Sequence, residues 1–194
     1  MLRGAYLARY PIREARSHEF QLSAASMALL TGVHDWEQLS FVGVKLSYLM
    51  SEASYLQRDR LSIYSGDVYS QLGKPLESVF RLVSPDECTG GLESSENVGD
   101  AGKGPPALRI TGWAWDYKHR RPPSRIVAAT GGVITGLGAM GDWRPTDNAI
   151  HLWVTTNYIG YTGYVQQGRA SGQVEIYAIL RSNPATACLI ATAK

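Results

Sequence analysis

The order of hydrophobic and polar positions along the chain changes period once. Up to about residue 77, apolar residues recur at three- and four-residue steps; beyond it they alternate with polar residues at a period of two. Residues 14–30, Ala-rich and followed by Gly32, predict a first helix. Asp35 reads as an N-cap with Gln38 as its capping-box partner. Leu39, Val42, Leu46, Leu49, Met50, Ala53 and Leu56 then continue one amphipathic helix to about Arg58 or Arg60. Two helices joined by so short a turn are expected to pack antiparallel as a hairpin. A shorter helical piece after Asp67 is expected to end at Gly73, before Pro75.

In the second part, residues 78–83, 108–115, 125–130, 133–139, 150–155, 163–167, 174–180 and 188–192 read as short strands. They are rich in Val, Ile, Trp, Tyr and Thr and are separated by Gly, Pro, Asn and Ser. Gly131-Gly132 marks a hairpin turn, and residues 94–106 read as a polar Gly/Pro loop. The expected fold class is therefore α+β: an N-terminal helical hairpin within a helical region over 1–77, followed over 78–194 by an immunoglobulin-like antiparallel β-sandwich. Its core is expected to gather Trp113, Ile126, Val133, Ile176 and Leu189.

Composition narrows the function. With 44% hydrophobic residues, 5 Trp and 11 Tyr, the 194-residue chain is not a disordered one. A net charge of +2, from 19 basic and 17 acidic residues, is too balanced for a nucleic-acid partner. The longest apolar stretch, residues 22–33, is interrupted by Ser23, Ser26, Thr31 and Gly32 and is too short to span a bilayer. The N-terminus has arginines but no apolar central run, so a signal peptide is not expected. A membrane connection is expected only through an upstream segment absent from this chain.

Candidate chemistry is sparse. The two cysteines, Cys88 and Cys188, have no metal-ligand spacing. They are either buried free thiols or one disulfide closing the second part of the chain, and their places in it put them within bonding reach. His18, His34, His119 and His151 fall in separate segments, and neither a metal nor a cofactor is expected. Asp116 is expected to make a turn, with Lys118, His119, Arg120 and Arg121 at a solvated hairpin tip. Asp142 and Asp147 are the carboxylates that a glycan-processing enzyme would use. The aromatic set is the fuller signal, because sugars stack their apolar faces on rings. Trp113 and Trp115 share one strand face and read as core, whereas Trp143, Tyr158 and Tyr161 read as surface candidates. Arg144 and Asp147 either brace their turn together, or Arg144 joins Trp143 in contacting an acidic or neutral glycan.

The order Gly112-Trp113-Ala114-Trp115-Asp116, then Pro122-Pro123, Arg125-Ile126-Val127, Trp143-Arg144-Pro145-Thr146-Asp147 and Gly160-Tyr161-Thr162-Gly163-Tyr164-Val165, resembles a bacterial β-sandwich module. It is that of the C-terminal, extracytoplasmic ends of multi-pass, glycosyltransferase-like membrane proteins associated with surface polysaccharide. In this chain Thr146 separates Pro145 from Asp147. The resemblance spans roughly residues 88–190 and carries no catalytic residues. It implies a non-catalytic accessory domain on the periplasmic side of the inner membrane, with a surface glycan or a membrane-protein partner. The alternatives are the carboxylate-dependent enzyme and a purely structural capping domain.

Overall fold

The computed structural model describes residues 3–98, 107–145, 154, 156–166, 172–181 and 184–193. Four α-helices precede the strands: α1 (Arg3–Thr31), α2 (Trp36–Leu39), α3 (Leu46–Arg58) and α4 (Leu76–Val79). The strands are β1 (Arg81–Leu82), β2 (Cys88–Val98), β3 (Ala107–Asp116), β4 (Arg125–Thr130), β5 (Val133–Asp142), β6 (Gly160–Gln166), β7 (Val174–Leu180) and β8 (Thr186–Ala193). The fold is α+β.

Helix α1 stops where Gly32 turns left-handed (φ 68°). There Val33 N–H donates to Ala28 O at 2.9 Å and Gly32 N–H to Leu29 O at 3.0 Å, closing the last turn. Asp35 caps α2 as its sequence predicts, accepting from Gln38 N–H at 3.3 Å. The single long helix expected next is instead divided. A 3₁₀ turn at Ser40–Val42 follows α2, and Gly43, at φ 76°, redirects the chain before α3 begins. The turn and α2 lie closest to α1, and α3 reaches the same apolar cluster through Leu49 and Met50.

All eight strands form one mixed sheet in the order β1-β8-β7-β4-β5-β6-β3-β2, antiparallel except for the short β1–β8 pair. The sheet curls until β2 comes beside β8, where the Cys88–Cys188 disulfide joins them with 6.3 Å between Cα atoms. This is half a barrel, where two facing sheets were expected. The reason lies in β4 and β7, which are buried on both faces. Ile126, Ala128, Ile176 and Ala178 fill the concave side. Val127, Ala129, Tyr177 and Ile179 meet Leu30, Tyr64, Leu76 and Phe80 of the helical part on the convex side. The helices thus take the place that a second sheet would occupy in a sandwich.

Two further segments differ from expectation, and a third lies almost wholly outside the described residues. Residues 78–83 are not a strand throughout, since α4 takes up to Val79 and buries Leu76 and Phe80 one turn apart. Residues 94–98 are strand, not loop: Ser94–Val98 continue β2 against Thr111–Ala107 of β3. Only Val154 of the expected strand over 150–155 lies among the described residues.

In the core, Ile126 and Ile176 are fully buried, while Trp113, Val133 and Leu189 are only partly so. The period of two explains the difference for β3. Leu108, Ile110 and Ala114 point into the concave core, so Trp113 and Trp115 face the convex side, where Trp115 is fully buried. Gly112 leaves the room on the concave face that the ring of Tyr161 takes; a Cβ there would lie 2.6 Å from Tyr161 Oη.

Candidate functional site

The convex face of β2, β3 and β6 is polar where it emerges from under α1. Pairing sets two rows side by side. Ser94, Thr111 and Thr162 lie across from one another in the first, and Glu96, Arg109 and Tyr164 in the second. The Ser94 and Thr111 hydroxyls are 2.8 Å apart. Helix α1 covers the neighbouring end of the sheet, where Phe20 and Ala24 pack on Ala139. The edge of that cover leaves a groove of about 320 Å³ with the hydroxyl row as its floor. Phe20, Gln38 and Phe41 wall it on the helical side, and Asp142 and Arg144 close its end.

Ion pairs set the groove's electrostatics. Arg109 bonds Asp35 Oδ2 at 3.1 Å, Glu37 Oε2 at 2.9 Å and Glu96 Oε2 at 2.8 Å. Burial opposes its charge, but the hydrogen bonds to Glu96 and Glu37 and the nearby Asp35 outweigh that and hold its pKa above the ordinary value. Asp35 Oδ2 also accepts from the buried Tyr164 hydroxyl at 3.0 Å, and burial next to this carboxylate raises the Tyr164 pKa. Gln38, in place of closing a capping box, turns its side-chain amide to Gln21, donating to Gln21 O and Oε1 at 2.8 Å each. One network therefore locks α1, α2 and β3 around one end of the groove.

At the other end Arg144 places Nη2 3.2 Å from Asp142 Oδ2 and Nε 3.2 Å from Glu93 Oε2. The Nε contact is off the N–H direction and makes no hydrogen bond. In all, five carboxylates surround two guanidiniums here.

A second hollow of about 270 Å³ adjoins the first at Phe20 and runs along α1 between Arg16, Glu19, Met140 and Tyr158. The segments carrying Trp143 and Tyr158 run side by side, Arg144 N–H donating to Asn157 O at 2.7 Å. The Arg13 guanidinium lies 4.4 Å over the Trp143 ring and that of Arg16 lies 4.8 Å over Tyr158. Trp143 keeps 37% of its surface exposed.

The structure thus brings Trp143, Arg144 and Tyr158 to one edge of the molecule. Tyr161 is not with them: it is fully buried on the concave face, its hydroxyl donating to Gly91 O at 3.1 Å, because β6 begins at Gly160 and points it inward. Burial holds its phenol well above the ordinary pKa. Asp147 lies outside the described residues, as do His151 and Trp153. Asp116 makes the turn expected of it. Its carboxylate is fully buried and takes the backbone N–H of His119 at 2.9 Å, with His119 Nδ1 2.7 Å away. Sequence reasoning missed Ser94, Glu96, Arg109, Thr111 and Thr162. Only β3 carries a local signal, Arg109 and Thr111 alternating with Leu108 and Ile110, whereas Ser94 and Glu96 sit in a run that is polar throughout.

Among the described residues no group of His, Cys, Asp or Glu is placed to hold a metal ion, and no helix is long and apolar enough to cross a membrane. A scan against models of protein families finds no match, and neither a search of curated proteins nor one of solved structures finds any.

Proposed function

We propose that this chain is a non-catalytic, envelope-facing accessory domain of a bacterial membrane protein, and that it binds a neutral saccharide strand along the edge of α1. The observation that carries the reading is the groove itself. Fixed hydroxyls on its floor, planar guanidinium and carboxylate groups at its ends and aromatic rings beside it are the groups that hold sugar hydroxyls and apolar sugar faces. The excess of carboxylates over guanidiniums disfavours an acidic glycan. The resemblance to the extracytoplasmic modules of surface-polysaccharide proteins supports the setting, and the disulfide suits an oxidising compartment.

Arg144→Ala tests the reading. Its ion pairs are partly exposed, so their loss is expected to move the melting temperature by only about 2–4 °C, in line with roughly 1 kcal/mol or less. Affinity for neutral oligosaccharides is expected to fall about tenfold or more in calorimetric titration. Early unfolding with no change in binding would favour the structural capping role.

A further inference from the structure

Helix α1 is two different things along its length. From Phe20 to Thr31 it supplies Phe20, Ala24, Ala25, Ala28 and Leu30 to the interior. From Ile12 to Glu19 every residue is exposed. This outer part runs beside the hollow of about 270 Å³ that Phe20 and Tyr158 line. It meets the body at two rings, through Arg13 on Trp143 and Arg16 on Tyr158. Those two arginines are three residues apart and so share one helix face. A guanidinium over a ring occupies the same π-face that a sugar needs for stacking.

We infer that residues 12–19 form a displaceable cover over the aromatic edge of the saccharide groove, with Arg13 and Arg16 acting as internal competitors for the ligand. The inference rests on the saccharide reading above and adds its regulation. In the covered state the apparent affinity is reduced by the fraction of molecules whose rings are open. An anionic segment or surface that draws Arg13 and Arg16 away would raise that fraction. Nothing buried holds residues 12–19 down, so lifting them costs the body no core contact.

The test compares the full chain with the double variant Arg13→Gln/Arg16→Gln, both exposed positions where neutral glutamine keeps helix propensity. Cellohexaose and chitohexaose are titrated into each, and acrylamide quenching of Trp143 is read without ligand, with Trp143→Phe as the blank. The expected result is binding about 5–30-fold tighter in the double variant, from loss of two exposed cation–π contacts. Trp143 is expected to become more open to quencher at the same time. Equal or weaker binding in the double variant overturns the cover while leaving the saccharide reading intact. Binding by neither protein overturns the saccharide reading and the cover with it. Unchanged Trp143 quenching overturns the cover whatever the titrations give.

Discussion

Asp35 is the residue on which the groove's geometry converges. It is 4% exposed, caps α2, accepts from Tyr164 and pairs with Arg109. Its replacement by Ala would strand a buried phenol and leave Arg109 with its two exposed partners, Glu37 and Glu96. The expected cost is about 2–3 kcal/mol, read from urea unfolding. A cost below about 0.5 kcal/mol would mean that Glu37 and Glu96 satisfy Arg109 on their own. The cap was legible in the chain, because Asp before an apolar run with Gln three residues on has a local meaning. The bonds of Asp35 to Arg109 and Tyr164 were not, since they join residues 74 and 129 positions apart. For Arg144 the expected local partner, Asp147, lies outside the described residues; the partner that spacing along the chain could not suggest is Glu93, which comes from β2, while Asp142 lies two residues away.

At the scale of elements, the seam between β2 and β8 depends on a covalent link. The two strands stand near opposite ends of the strand order and share no hydrogen-bonded ladder, but the disulfide closes a separation of 100 residues. Changing both cysteines to Ser is expected to lower the unfolding free energy by about 4–5 kcal/mol in the chain-entropy picture. A loss under about 1 kcal/mol would show that β7 and the concave core hold β8 without it. Most strands were legible because alternation marks them: β4 and β7 fall at 125–130 and 174–180 as their patterns predict. β2 was not, because Gly90-Gly91 suggests a turn in its first half and Ser94–Val98 has an edge strand's polar composition; Cys88–Val98 becomes a strand only by pairing with β3. The break at Gly43 was overlooked because the apolar spacing of Val42 and Leu46 runs on across it.

At the scale of the whole molecule, the interior is rich in tyrosine. Burial first, helped by neighbouring charges, pushes the phenols of Tyr64 and Tyr177 up to about 12, and Tyr161 and Tyr164 are raised as well. A raised folded-state pKa means that the native protein holds these protons where the unfolded chain, titrating near 10, has lost them. The stability they contribute is complete below about pH 10 and is lost as pH rises from there through about 12. Tyrosinate absorbance from these residues is expected to appear together with loss of circular dichroism; ionisation well before unfolding would contradict their burial. That the helices lie on the convex face of the sheet was not readable, because an apolar face on a strand does not say what covers it. The groove was not readable either, because it arises only where α1 and α2 meet the convex polar rows of β2, β3 and β6. Binding of neutral saccharide in this groove, with Trp143 stacking beside it, is checked by calorimetric titration of cellohexaose and chitohexaose into the wild-type chain and Trp143→Ala. Saturable one-site binding to the wild type, weakened at least about tenfold in the variant while the melting temperature falls by only about 2–4 °C from loss of the Arg13 contact, is the predicted result. Absence of heat with both oligosaccharides, or equal affinity in the two proteins, would contradict it.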